Sequence, residues 1–237
     1  MAAYTFKVLR FHPAHDAKPR FKSYKINLPK GATVLDGLIA IKAKRDPSLA
    51  FRRSCRSAIC GSCAVRVHGK ASLICDLQAS EAARKGVIVL EPLANFTVIR
   101  DLVVNLAPFW NAVEKSLPWL VADPKKKSPE KGYKIVPNDD FVGLSKVDVC
   151  VLCAACHSDC PVVTEHRDFP GPVFNVKTAR FILDERDHDK GRYNRAADMG
   201  IELCTKPQSC PVECPKEIDL HKDVLEVIMK TGTKPRR

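Results

Sequence analysis

The stretch that most restricts this chain runs from Cys150 to Pro161, CVLCAACHSDCP. It places four cysteines at gaps of two, two and three residues and follows the last with proline. A run of this kind wraps an iron–sulfur cluster, and where two clusters are held the fourth cysteine serves the other one. A second run is therefore required. Cys204, Cys210 and Cys214, followed by Pro215, supply it with one member missing. The spacing asks for a ligand at position 207, and Pro207 has no thiolate to give. Cross-pairing assigns Cys150, Cys153, Cys156 and Cys214 to a 4Fe–4S cluster. Cys160, Cys204 and Cys210 remain. Three ligands suit a 3Fe–4S cluster, which lacks the iron a fourth cysteine would anchor.

A different spacing occupies the first half. In FRRSCRSAICGSC, residues 51–63, Cys55, Cys60 and Cys63 stand at gaps of four and two, the plant-type ferredoxin pattern for 2Fe–2S. Cys75 is the fourth ligand. Ser54, Ser57, Ala58, Gly61 and Ser62 keep the loop small, so that backbone N–H groups can approach sulfide. Four, four and three ligands use all eleven cysteines. Zinc also binds paired cysteines, but it seldom needs three short gaps plus proline. Cys153-Ala-Ala-Cys156-His157 matches a haem attachment sequence, yet haem there would strand Cys150 and Cys160. Cys60-Gly-Ser-Cys63 resembles a thioredoxin pair embedded in a run that belongs to another chemistry. His157 and His166 read as structural or surface histidines.

Along the chain, Tyr4–Phe11 and Ser23–Leu28 alternate apolar and polar residues as paired strands do. Thr33 with Asp36 forms a helix-start box. Val34, Leu35, Leu38, Ile39 and Ile41 supply that helix's apolar stripe, which ends before Pro47. Val65–Val67 and Ser72–Ile74 flank a His68-Gly69-Lys70 turn, and Val87–Leu90 reads as a further strand. From Leu102 the spacing of Leu102, Val103, Leu106, Phe109, Trp110 and Val113 predicts a helix. Asp123–Gly132 reads as a charged surface loop. Helices are also expected over 177–187, with Ala179, Phe181, Ile182 and Leu183 inward, and over 219–230, with Leu220, Val224, Leu225 and Ile228 inward. The fold class is α+β. A plant-type ferredoxin-like (β-grasp) 2Fe–2S domain over 1–104 precedes an all-α, bacterial-type ferredoxin-like domain over 105–237 that holds two clusters.

The formal charge of +12 suits an acidic protein partner or anionic lipid. With aromatics at only 7% and no stacking strip, nucleic acid is not an expected partner. MAAYTFKVLR opens as a strand rather than an export signal, so the cysteines read as metal ligands rather than disulfides. No apolar window is long enough to span a membrane. Neither a Gly-x-Gly-x-x-Gly motif nor a phosphate loop is present, and no proton-transfer pair stands out. Arg52, Arg53 and Arg56 crowd the first cluster, where they would raise its potential or dock a partner.

RRSCRSAICGSCAVRVHGK, CVLCAACHSDCP, GPVFNVKTARFILDERD and CTKPQSCPVECPKEI together resemble the iron–sulfur subunit of succinate dehydrogenase and fumarate reductase over nearly the whole length. The resemblance implies an electron-conducting subunit. Its partner would be a flavoprotein subunit with covalent FAD that interconverts succinate and fumarate. Electrons would pass through 2Fe–2S, 4Fe–4S and 3Fe–4S clusters to a quinone at a membrane anchor, on the cytoplasmic face of the cell membrane. It places Pro161, Thr205, Lys206 and Pro207 nearest the quinone. Val162–His166 lacks the tryptophans that many succinate-oxidising members carry there, and Thr205 stands where members often have histidine. A low-potential menaquinone is the expected acceptor. A fumarate reductase with a non-quinone donor, a free ferredoxin-like carrier and a zinc-bearing interaction module are the alternatives.

Overall fold

The computed structural model describes residues 1–123, 125, 138–204 and 210–232. The chain forms two compact units. One comprises Met1–Pro108 together with Val151–Asp159; the other comprises Phe109–Cys150 together with Cys160–Arg237. The sequence-based division at 104/105 does not anticipate the return of 151–159 to the first unit.

In the first unit, β1 (Ala2–Arg10) and β2 (Arg20–Leu28) form an antiparallel hairpin in which Ala2 faces Leu28 and Arg10 faces Arg20. β3 (Ala64–Val67) pairs antiparallel with β4 (Lys70–Leu73). β5 (Val87–Glu91) runs parallel to β1 and antiparallel to β3, giving the order β2-β1-β5-β3-β4. Alternation sends Phe6 and Val8, Ile26 and Leu28, and Ile88 and Leu90 inward. Helix α1 (Val34–Lys44) lays its buried Val34, Leu35, Leu38 and Ile41 into this core. Its start is the expected box: Thr33 Oγ1 accepts from the Asp36 N–H at 3.1 Å, and Asp36 accepts from the Thr33 N–H at 3.0 Å. Gly37 lies under the Phe6 ring, where a Cβ has no room.

A buried polar network braces the approach to residue 51. Asp46 accepts from Arg10, Lys22 and Tyr24 at 2.6–2.8 Å and from the Ser48 N–H at 3.1 Å. Burial pushes the Asp46 carboxyl up, but these donors outweigh it and hold it far below the usual carboxylate range. Asp101 accepts from Arg10 Nε, the Phe11 N–H and the Ala50 N–H.

That last set explains a departure from expectation. Leu102 and Val103 do not begin a helix. Asp101, at φ +48°, is the turn between β6 (Val98–Arg100) and β7 (Val103–Val104). Its three donors, and the Leu102 N–H on Ala50 O, hold the segment as a hairpin. After the short α2 (Ala79–Ala82) earlier in the chain, the next helix is α3 (Ala107–Lys115), opened by Asn105 Oδ1 accepting from the Ala107 N–H. Phe109 and Val113 are buried there, whereas Trp110 is 47% exposed.

The second unit is helical. It contains α4 (Asn138–Asp148), α6 (Pro161–Glu165), α7 (Pro172–Ile182), α8 (Arg192–Asp198) and a 3₁₀ turn (Ile201–Cys204). A π-helical turn (Leu220–Leu225) then runs into α9 (Glu226–Gly232). The intervening α5 (Ala155–Ser158) belongs to the first unit. Phe174, Val176 and Ala179 of α7 pack with Val147, Ala196, Ile201, Ile218, Val224 and Ile228. α7 occupies 172–182 rather than 177–187. Gly171, at φ +87°, turns the chain, and Pro172 sits at the first helical position, where its missing N–H costs nothing. The helix stops because the buried Asp184 accepts from Arg180, Arg186 and the Arg186 N–H, closing a side-chain turn. Asp219 caps the last helical stretch by accepting from the His221 and Lys222 N–H groups, each at 3.0 Å. The stretch is π-helical at first, and Val224 and Ile228 are its buried residues. Arg192, 2% exposed, pairs with Asp187 and donates to the carbonyls of Ser116, Leu117 and Trp119. The expected charged loop Asp123–Gly132 lies almost wholly outside the described residues.

Candidate functional site

The loop from Phe51 to Cys63 turns through unusual backbone. Arg56 and Ala58 have φ of +61° and +54°, and Gly61 has +68°. For a residue with a Cβ this costs about 1–2 kcal/mol, so a return is needed. It comes from N–H groups aimed at sulfur. The Ser57 and Cys60 N–H groups reach Cys55 Sγ at 3.4 and 3.3 Å, and the Ala58 N–H reaches Cys75 Sγ at 3.2 Å. Successive N–H groups turned inward form an anion-binding concavity. Cys55 responds accordingly: N–H donation from Ser57, then Cys60, lowers its thiol to about 6. Burial raises Cys63 to about 12, and the neighbouring Cys75 and Cys60 add to the rise. Cys55 and Cys60 are exposed, while Cys63 and Cys75 are buried. Four thiols and a concavity of donors fit a 2Fe–2S cluster. Arg53, Arg56 and Ile59 of the same loop are exposed.

The same device recurs at 151–159, in the same unit. Leu152 and Ala154 have φ of +54° and +63°, on either side of Cys153. Gly61 backs directly onto this segment. A Cβ there would stand 2.6 Å from Val151 O and 2.9 Å from Cys153 Cα. The segment is pinned to the sheet. The Asp159 carboxylate accepts from the Ala71 N–H at 2.8 Å, Ser158 Oγ accepts from the Ala94 N–H at 3.0 Å, and Asn95 Nδ2 donates to the carbonyls of His157 and Ser158. His157 stacks on Phe96 at 4.7 Å, and burial lowers its imidazole to about 4, so it is neutral near pH 7. It is the structural histidine of the sequence reading, not a surface one.

In the second unit, Cys160 stands just before α6 and is buried. Cys204 closes the 3₁₀ turn, and Cys210 is exposed. Burial raises the Cys204 thiol to about 12, with the charges of Cys160, Cys210 and Glu202 adding, and it raises Cys160 as well. All three line a cavity of about 810 Å³ with Pro161 and Cys214. Cys160, Cys204 and Cys210 would hold a cluster here, and its iron would supply the positive charge that favours their thiolates. Three thiols around one cavity fit a cluster. Cys150 and Cys214 flank the helical core of this unit. Thr205, Lys206 and Pro207 lie outside the described residues. Among the described residues no group of three His, Cys, Asp or Glu converges on a single ion; a cluster instead distributes thiolates over several iron atoms.

Residues 5–111 match a 2Fe-2S iron-sulfur cluster binding domain family, and residues 146–218 match a 4Fe-4S dicluster domain family. The fumarate reductase iron-sulfur subunit of Mycobacterium tuberculosis is 35% identical over 216 residues, covering 90% of this chain and 86% of that one. The chain belongs to the iron–sulfur subunits of the succinate dehydrogenase and fumarate reductase family. The mitochondrial succinate dehydrogenase (ubiquinone) iron-sulfur subunit 1 of Oryza sativa subsp. japonica is 36% identical over 227 residues, covering 93% and 79%. A chain of the Mycobacterium smegmatis Sdh1 complex in the apo form superposes with a TM-score of 0.83 at 24% identity, over 96% of this chain and 94% of that chain. That likeness concerns the fold. This iron–sulfur subunit thus carries a ferredoxin-like 2Fe–2S sheet domain and a helical 4Fe–4S dicluster domain, and it transfers electrons within an oxidoreductase of that family. Among the described residues no helix is long and apolar enough to cross a membrane.

The sequence reading found the cysteines but missed their supports. Asp159 and Asn95 act across 88 and 62 positions of sequence, and no local pattern announces that. Ser62 counted only as small, yet its hydroxyl lies 3.1 Å from Cys60 Sγ.

Proposed function

We propose that this subunit carries electrons one at a time between the FAD of a flavoprotein subunit and a quinone at a membrane anchor, bound peripherally at the cytoplasmic face of the cell membrane. Cys55, Cys60, Cys63 and Cys75 hold 2Fe–2S; Cys150, Cys153, Cys156 and Cys214 hold 4Fe–4S; Cys160, Cys204 and Cys210 hold 3Fe–4S. The observation that carries this reading is the complete division of eleven cysteines into these sets, with Pro207 where the twelfth would fall. Bound clusters supply a graded series of one-electron sites that divides a two-electron flavin reaction into single steps. The protein's share is to hold them, to shield Cys63, Cys75 and Cys160 from water, and to set local charge through N–H groups and arginines. Exposed Cys55, Arg53, Arg56 and Ile59 leave one side of the first loop open, which suits docking to the flavoprotein. Pro161, Thr205, Lys206 and Pro207 are the quinone-side residues. Val162–His166, without tryptophan, favours menaquinone.

The test is EPR with iron and sulfide analysis on the complex purified with its companion subunits. We expect a reduced 2Fe–2S signal, a reduced 4Fe–4S signal and an oxidised 3Fe signal, and conversion of the last towards 4Fe–4S in Pro207→Cys. Zinc at these thiols, or no 3Fe signal in intact protein, would overturn the assignment.

A further inference from the structure

Within the first loop the donors are not shared evenly. Backbone N–H groups of Ser57, Cys60 and Ala58 go to Cys55 and Cys75. Cys60 receives a side chain instead, with Ser62 Oγ 3.1 Å from its Sγ. Gly61 makes this contact. Its φ of +68° reverses the chain between the two residues, and the reversal brings the hydroxyl back over the sulfur. The backbone of 151–153 behind Gly61 blocks any bulkier residue there, so the turn is fixed. Between a free thiol and a hydroxyl, either group can donate. As an iron ligand Cys60 is a thiolate without a proton, and only Ser62 can donate.

We propose that the Ser62 hydroxyl is a potential-setting residue: it donates to the Cys60 thiolate and raises the reduction potential of the first cluster. This rests on the assignment of Cys55, Cys60, Cys63 and Cys75 to 2Fe–2S. Reduction adds one negative charge to the cluster and its sulfurs. A donor to sulfur binds the reduced form more strongly than the oxidised form, and hydrogen bonds to cluster sulfurs are an established lever on potential. A half-buried hydroxyl facing an exposed ligand is also placed where a docked partner would exclude water and strengthen the bond.

The experiment is an EPR-monitored redox titration of the 2Fe–2S signal in the purified complex, comparing the unaltered protein with Ser62→Ala and Ser62→Thr. In Ser62→Ala the potential should move in the negative direction by up to about a tenfold change in the oxidised-to-reduced ratio, ~59 mV for one electron. Ser62→Thr, which keeps the hydroxyl, should restore it. An unchanged potential in Ser62→Ala with an intact signal overturns the proposal, as does an equal shift in both variants. If Ser62→Ala fails to hold the cluster while Ser62→Thr holds it at the unaltered potential, the hydroxyl serves assembly, and the proposal falls. Absence of a 2Fe–2S signal from the unaltered protein would instead remove the ligand assignment beneath it.

Discussion

Cys55 in the first set of cysteines, and Cys160 and Cys204 in the second, meet opposite surroundings. Around Cys55 the backbone bends through left-handed residues to turn N–H groups onto an exposed sulfur, and its thiol falls to about 6. Cys160 is buried and Cys204 half-buried, and the Cys204 thiol rises to about 12. Cys55 is ready for a cation before one arrives, whereas burial holds Cys63 of the same loop up at about 12. Cys160 and Cys204 would become anionic when bound iron displaces their protons. Cys55 depends on backbone geometry, Cys160 and Cys204 on burial, and each leaves a different weakness.

The sharpest way to break the first arrangement is Gly61→Ala. The added methyl meets backbone on its far side and demands a strained φ, so relaxation is blocked. The 2Fe–2S signal per protein should fall by about tenfold or more, equivalent to a loss above about 1.4 kcal/mol in holding the cluster. A near-normal signal would show that the loop does not rest on 151–153 as described. The contrast between the sets can be sharpened in cluster-free protein that keeps its native circular dichroism. At pH 7 the thiolate fraction strongly favours Cys55 over Cys204, and the lower intrinsic nucleophilicity of the more acidic thiol offsets part of that. Alkylation of Cys55 should run about 10²-fold faster, read by peptide mass spectrometry. Equal rates would cancel the comparison. Gly86→Ala provides the smallest effect. Gly86 has φ +77°, but nothing lies within 4 Å of a Cβ there. Urea unfolding should show a loss of about 1–2 kcal/mol with the cluster signals intact. A loss of signal would mean that positive φ alone, without close contact, disables the sheet domain.

How much of this was legible depended on how local the physics was. Thr33 and Asp36 are three residues apart, and their reciprocal bonds were readable without a structure. Strand alternation at Phe6, Val8, Ile26 and Leu28 was readable for the same reason. Leu102 and Val103 fit a helical spacing, but Asp101 collects donors from Arg10, Phe11 and Ala50, and distant partners overrode the local pattern. For α7 the start signal is local, Gly171-Pro172, but the apolar residues Ile182 and Leu183 further on suggest a helix about five positions later. Cysteine spacing gave a full set of candidate ligands. The left-handed turns at Arg56, Ala58, Leu152 and Ala154 carry no sequence mark, because each is a costly conformation that only the finished loop compensates.

The membership of Val151–Asp159 in the first unit bears on how the chain is made. When a ribosome has delivered Met1–Pro108, the sheet still lacks Asp159, Ser158 and the backbone that Gly61 rests against. About 50 further residues must emerge before those partners arrive, a wait of about 3–10 s at ordinary rates of synthesis. During that interval the nascent first domain is unfinished, and its metal-loading loop has no floor. The complete support of that loop therefore exists only once residue 159 has been made, well after the loop's own codons have been read.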